Sequence, residues 1–165
     1  MRRDRPSRVC FVCSGNICRS PIAEVVLRAL AERSGQDGLV EVDSAGIGDW
    51  HVGERADRRA VAVLAANGYD GSAHRARQFE VGDFADRDLV VALDHGHLRA
   101  LRTLASTSAD RDKIVLLRSW DPALAGVEGH RLDVEDPYYD GEAAFVEVLR
   151  QVESACRGLL TTLER

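Results

Sequence analysis

The hydrophobic positions of this chain change period several times, and each change marks an element. Arg8-Val9-Cys10-Phe11-Val12 is an apolar run rich in β-formers, the pattern of a strand covered on both faces. From Pro21 the period lengthens to that of a helix, with Ile22, Val25, Val26, Ala29 and Leu30 on one face and Gly35 as the stop. Leu39 to Ser44 alternates Val40 and Val42 with Glu41 and Asp43, a half-exposed strand, and the glycine-punctuated Ala45 to Gly53 follows as a loop. A second helix is predicted over 57–67, with Val61, Leu64 and Ala65 on one face and Gly68 at its end. Gly71 to Phe84 is irregular. Leu89 to Leu93 and Ile114 to Leu117 are strand-length apolar runs, and between them Leu98, Leu101 and Leu104 mark a helix capped by Asp94.

Ser119 to Pro137 has no period and contains Pro122, Gly126, Gly129 and Pro137, so it reads as a long loop, a type that is usually functional or disordered. The last helix, over 142–163, places Val146, Leu149, Val152, Cys156, Leu160 and Leu163 on one stripe. Residues 1–7 carry no pattern and read as a flexible N-terminal tail. Strands alternating with helices predict an α/β fold, a three-layer sandwich with a central, mostly parallel four-stranded sheet, built as a single domain over 1–165. Ligands of such sheets bind beyond the carboxyl ends of strands, where the loops after Val12 and after Leu117 both fall.

Composition narrows the partners. The chain has 45% hydrophobic and 30% charged residues, ordinary for a globular domain, and its net charge of -5 argues against a nucleic-acid partner. No apolar run approaches the ~20 residues that span a bilayer, and the start lacks a hydrophobic secretory segment, so a cytoplasmic protein without a membrane partner is expected. The four cysteines, Cys10, Cys13, Cys18 and Cys156, are too few for a disulfide scaffold and too irregularly spaced for a paired zinc site. Cys10 and Cys156 fall on apolar faces and read as core.

Cys13 and Cys18 belong instead to Cys13-Ser14-Gly15-Asn16-Ile17-Cys18-Arg19-Ser20-Pro21, a strand end, tight loop and helix start. Backbone N–H groups of such a loop can turn inward around a phosphate while the helix directs its positive end at the same spot. Gly15 and Asn16 are the residue types that take left-handed backbone angles most readily. Arg19 offers a planar fork for two phosphate oxygens, and its charge and the Ser20 hydroxyl favour sulfur as a thiolate on Cys13. The Gly-Lys-Ser/Thr ending of a nucleotide-binding loop is missing. A thiolate attacking phosphorus needs an acid opposite it for the leaving oxygen. Asp136 is the candidate, because Pro137 biases it towards extended backbone on a loop able to reach the pocket.

With Asp136-Pro137-Tyr138-Tyr139 added to that loop, and Ser44-Ala45-Gly46, Trp50-His51-Val52-Gly53 and His74-Arg75-Ala76-Arg77-Gln78 between them, the chain resembles the low molecular weight protein tyrosine phosphatases over nearly its whole length. The resemblance implies hydrolysis of phosphotyrosine in proteins or peptides, with Cys13 as nucleophile, Arg19 as phosphate binder and Asp136 as general acid and base. It implies no metal and no cofactor. Ser14, Gly15, Asn16, Ile17 and Cys18 would form the substrate cradle and Trp50, Tyr138 and Tyr139 the walls of an aromatic slot, with His51 either exposed at the rim or in contact with the substrate. Asn16, Ser44 and His74 would brace the loop by hydrogen bonds, and Ser20 would hold the thiolate. In the same family a second loop cysteine, here Cys18, can form a reversible disulfide with the nucleophile. Tyr138 and Tyr139 are further candidates for modification by a tyrosine kinase. Two other readings keep the same cradle: an arsenate reductase, for which no relay cysteine lies between Cys18 and Cys156, and a non-catalytic phosphotyrosine-binding or redox-sensing protein.

Overall fold

The computed structural model describes residues 4–164. Four strands form one parallel sheet: β1 (Ser7–Cys13), β2 (Val40–Gly46), β3 (Leu89–Ala92) and β4 (Ile114–Leu116), in the spatial order β2-β1-β3-β4. Helices α1 (Arg19–Arg33), α2 (Arg58–Ala66), α3 (His95–Leu104), α4 (Ser108–Arg111) and α5 (Glu142–Leu163) surround it. This is the sandwich that the alternation of elements predicts. No helix among the described residues is long and apolar enough to cross a membrane.

Successive side chains of β1 bury on opposite faces. Val9, Phe11 and Cys13 join the core shared with α1, α2 and α5, whereas Cys10 and Val12 join the one shared with α3 and Phe84. A strand covered on both sides has no polar face, which explains the uninterrupted apolar run. β2 lies at an edge and leaves Glu41 exposed. Because β2 lies on one side of β1 and β3 on the other, the chain winds in opposite directions from β1. A crevice therefore opens between the carboxyl ends of β1 and β3.

Several local expectations need correction. Of the tail expected over 1–7, residues 1–3 lie outside the described residues, Ser7 already pairs with Val40, and Arg5 holds the Asp88 carboxylate through both guanidinium arms at 2.9 and 3.0 Å. On α2 the buried face is Ala60, Val63 and Leu64, not Val61, Leu64 and Ala65. Alanines on several sides let this helix fit two registers, and packing against α5 and α1 selects one. On α5, Phe145 and Val148 take the core positions and Val146 is 56% exposed, because the larger aromatic ring claims the interior. Leu104, at the end of α3, is 39% exposed.

The aperiodic stretch after β4 is folded as short 3₁₀ turns, Leu117–Trp120, Pro122–Leu124 and Gly129–Leu132. The buried Asp121 carboxylate accepts from the Ala123 N–H at 2.9 Å and the Ser154 hydroxyl at 2.8 Å, which fastens the stretch to α5. Side-chain bonds of this kind leave no periodic trace in a sequence.

Candidate active site

The loop between β1 and α1 is held from behind by one side chain. Asn16 has φ +60° and is fully buried. Its amide nitrogen donates to the Ser20 and Ser44 hydroxyls at 2.8 and 2.9 Å, and its amide oxygen accepts from the Arg77 backbone N–H at 3.0 Å. His74 Nε2 donates to the Asn16 backbone carbonyl at 2.7 Å, and the Ser44 hydroxyl donates to the Glu24 carboxylate at 2.7 Å. A left-handed asparagine with its side-chain amide and backbone carbonyl engaged fixes the loop's curvature. Ser44 and His74 thus sit in the bracing network that the resemblance implies. Asn16 itself does not border the cavity in front of the loop, since its side chain faces the interior.

Gly15 differs from expectation. Asn16 takes a left-handed angle and Gly15 does not; at Gly15 a Cβ would approach His51 Cδ2 to 2.8 Å, so the imidazole would have to shift. Gly46, at the end of β2, is more strictly constrained, because a Cβ there would fall 2.9 Å from the Ser14 carbonyl oxygen, a backbone atom that cannot step aside. Its neighbours Ile47 and Gly48 donate backbone N–H groups to the Cys13 and Ser14 carbonyls at 2.8 and 3.0 Å. The loop is therefore packed backbone to backbone against the end of β2.

Cys13 Sγ lies 2.9 Å from Ser20 Oγ, and both residues are buried. The Ser20 hydroxyl accepts from the Asn16 amide and has two acceptors for its own hydrogen, the nearby Cys13 sulfur and, at 3.5 Å, the Ala45 carbonyl. Arg19, the first residue of α1, is 3% exposed, and its Nη1 donates to Asp94 Oδ2 at 2.8 Å and to the Val134 carbonyl at 2.9 Å. Nη2 has only long contacts, 3.4 Å to Ser14 Oγ, 3.4 Å to His97 Nε2 and 3.8 Å to Asp136 Oδ2. One arm of the guanidinium is thus anchored and the other is available to a ligand.

Asp94 and His97 were not singled out for the site from sequence. Asp94 does cap α3, with Oδ1 accepting the His97 N–H at 2.9 Å, but its second oxygen holds Arg19. Burial opposes ionisation of Asp94; the His97 imidazole and N–H and the Arg19 guanidinium outweigh it and hold the carboxyl below its ordinary range. Burial, reinforced by the charge of Arg19, lowers His97 to about 4, so the imidazole is neutral near pH 7. Its Nε2 lies 2.9 Å from the Ser14 hydroxyl. Its Nδ1, 3.1 Å from Asp94 Oδ1, is not aligned for a hydrogen bond and has no such partner among the described residues. The available signal was position: Asp94-His95-Gly96-His97 follows an apolar strand, beside the β1 loop at the crevice.

In front of the loop is a cavity of about 270 Å³. Cys13, Ser14, Gly15, Ile17, Cys18 and Arg19 form its base, and Trp50, His51, Asp136, Tyr138 and Tyr139 its sides. Asp136 is a turn carboxylate as well as a cavity residue: Oδ1 accepts the Tyr138 N–H at 3.1 Å while Oδ2 faces Arg19. The Tyr138 and Tyr139 rings meet edge to face at 5.0 Å. Burial pushes the Cys18 thiol up, leaving it protonated, and all four cysteines are free.

The family model for low molecular weight phosphotyrosine protein phosphatase matches residues 8–165. The chain belongs to that family. It is 60% identical over 156 residues to a low molecular weight protein-tyrosine-phosphatase of Streptomyces coelicolor, covering 94% of this chain and 93% of the relative. Among solved structures, a protein tyrosine phosphatase from Entamoeba histolytica with Hepes in the active site superposes with a TM-score of 0.87 at 31% identity, covering 96% of this chain and 97% of that one. Wzb from Vibrio vulnificus, in complex with benzylphosphonate, superposes with a TM-score of 0.80 at 29% identity, covering 94% of this chain and 98% of that one. The low molecular weight phosphatases thus share the fold across essentially the whole chain.

Proposed function

We propose that the protein hydrolyses phosphotyrosine in proteins or peptides through a phosphocysteine intermediate. The observation that carries this reading is the single cavity bordered by Cys13, Arg19 and Asp136 together. The Cys13 thiolate attacks phosphorus, the bond from phosphorus to the tyrosine oxygen breaks, and protonated Asp136 gives its proton to the departing phenoxide. In the second half, the Asp136 carboxylate takes a proton from water as the water oxygen bonds to phosphorus. The sulfur–phosphorus bond then breaks, its electron pair returns to sulfur, and inorganic phosphate leaves.

The free Nη2 arm of Arg19 and the inward-facing loop hold the phosphoryl oxygens as charge redistributes over them. Anchoring of Nη1 by Asp94 and Val134 fixes that arm in advance, so little ordering is left for the reacting complex. Trp50, Tyr138 and Tyr139 supply apolar sides for the ring. The benzylphosphonate bound by the Vibrio relative, an aromatic ring one carbon from phosphorus, supports an aryl phosphate as the ligand class.

Hydrolysis of a chromogenic aryl phosphate in chelator-treated buffer tests the reading. Wild-type protein should release phenol and Cys13→Ser should not; equal rates would refute it. Arsenate reduction by a cysteine relay is disfavoured because Cys156, beyond the loop pair, is fully buried in α5. Cys18 borders the same cavity as Cys13, which supports a reversible disulfide after oxidation of Cys13. Dithiothreitol should then rescue peroxide-treated wild type better than Cys18→Ala. Tyr139, 90% exposed, is the more accessible of the two tyrosines for a kinase. Its phosphorylation would be read by mass spectrometry after incubation with a tyrosine kinase.

A further inference from the structure

The proposed reaction leaves one cluster of side chains unused. His95 opens α3, and its Nδ1 lies 2.6 Å from Asp133 Oδ1, to which its backbone N–H also donates at 2.9 Å. His130, in the 3₁₀ turn Gly129–Leu132, sets its Nδ1 2.9 Å from the other oxygen, Oδ2. One carboxylate is thus flanked by two imidazole nitrogens, and the three ligand atoms lie within 4.8 Å of one another. None of the three residues borders the cavity of Cys13.

We propose that His95, His130 and Asp133 bind one divalent cation of the zinc class. Two imidazoles and a carboxylate suit zinc, cobalt or nickel, whereas magnesium and calcium prefer all-oxygen sets. Zinc takes such ligands at about 2.0–2.2 Å in a tetrahedron, whose ligand atoms are then about 3.3 Å apart, and keeps water in the fourth position. The 2.6 Å His95–Asp133 separation must therefore open, and His130, now on the carboxylate's other oxygen, must swing in towards ligand atoms that lie within 4.8 Å of one another. His130 gives that freedom, because its side chain is 82% exposed. The imidazoles bind through Nδ1 as Nε2–H tautomers, so the hydrogens now directed at Asp133 move to the outer nitrogens.

An entry path is present. His130 and Asp133 border a solvent-open cavity of about 210 Å³ whose margin carries Glu135, Asp140 and Glu147, opposed by Arg118 and Arg131. Arg118 is partly occupied, its Nη1 donating to the Arg131 and Asp133 carbonyls at 2.8 and 3.1 Å. The bound ion has a mechanical consequence. His95 follows Asp94 and Asp133 precedes Val134, the two residues that hold Nη1 of Arg19. The cation ties together the two backbone segments that seat the phosphate-binding arginine, without touching the reacting atoms.

The test uses full-length, untagged Cys13→Ser protein, so that the reactive thiol cannot capture the metal, after exhaustive chelation. Zinc is titrated against a chromophoric chelator, and cobalt is followed by its visible absorption. One ion per chain is expected, with the absorption of a tetrahedral nitrogen–oxygen site and a melting temperature that rises with zinc concentration. Adding His130→Gln or Asp133→Asn should weaken binding at least about 10-fold and abolish the thermal shift. His51→Gln, which removes an imidazole beside Glu54 at the other cavity, should leave binding intact. Metal-free melting of each variant verifies folding, and exposed His130 is the substitution least able to disturb it. The proposal is overturned if the parent binds no stoichiometric zinc, if His130→Gln binds as tightly as the parent, or if His51→Gln removes the site.

Discussion

The floor and the rim of the cavity are built on opposite principles. At the floor, Asn16, Arg19 and Ser20 are buried, and the Asn16 amide and one arm of Arg19 are held by residues from four separate stretches of chain. At the rim, Trp50 is 69% and Tyr139 90% exposed, and Asp136 is held by a single hydrogen bond and a long ion pair. The phosphate is invariant among the substrates of such an enzyme, and a rigid, preorganised cradle suits it. The remainder of each substrate varies, and an exposed rim of aromatic faces accommodates it at low structural cost. Mutations should divide accordingly: at the bracing residues of the floor stability and activity fall together, whereas at the rim stability is spared and the loss falls on recognition or, at Asp136, on proton transfer.

The largest effect is expected at the nucleophile. Cys13→Ser should lower kcat by ~10⁴-fold or more while the protein still binds phosphate-like inhibitors, measured by single-turnover kinetics and inhibitor titration. Asp136→Asn comes next. It should slow an alkyl or poor aryl leaving group by about 10²- to 10⁴-fold, slow a good leaving group much less, and leave the melting temperature near wild type. A leaving-group series giving equal losses would remove the proton-donor role.

Asn16→Ala sharpens the contrast from the other side. It takes a donor from the buried Ser20 and Ser44 hydroxyls, leaves the Arg77 N–H without its acceptor and puts a Cβ residue without a bonding side chain at φ +60°. We expect about 2–3 kcal/mol of lost stability, read as a fall of several degrees in melting temperature, together with lost activity. Tyr139→Ala should change KM by a few-fold and melting temperature by less than about 2 °C. If Asn16→Ala melted like wild type, the floor would not be the rigid half.

A smaller effect is a pH dependence. His97 has its folded-state value lowered from 6.5 to about 4, so the unfolded chain binds more protons between those limits. Stability therefore rises with pH from about 4 to 6.5, and the gain is lost as pH falls through that window. In His97→Gln the melting temperature should vary less over this range; an identical slope would show that other groups control it.

The sequence exposed the two regions unequally. Strand β1, the loop and Asp136 could be read because a fully apolar run, a cysteine–arginine spacing and an aspartate before proline are local patterns. The anchoring of Arg19 could not, because Asp94 and Val134 are 75 and 115 residues away and the second contact is a backbone carbonyl, which any residue supplies. Asp94 was read correctly as a helix cap, and that sufficient local role concealed its second oxygen. On α5 the expected stripe holds at Leu149, Val152, Cys156 and Leu160 and fails at Val146, and on α2 it holds at Leu64 and fails at Val61 and Ala65, for a related reason: apolar periodicity locates a helix well but leaves its exact rotation to the partners it packs against. The turns between Leu117 and Leu132 depend on Asp121, Ser154 and Arg118, pairings that no single window contains.

The Val134 carbonyl that anchors Arg19 also sets an order of assembly. The nucleophile is made within the first tenth of the chain, yet its arginine is seated only once residue 134 has been synthesised and docked, with the Val134 N–H on the Leu93 carbonyl at 2.8 Å. A nascent or truncated polypeptide that stops short of this point carries a reactive thiol without its completed anion clamp. The clamp around the phosphate site can therefore be complete only after residue 134 is in place, long after the nucleophile itself has been made.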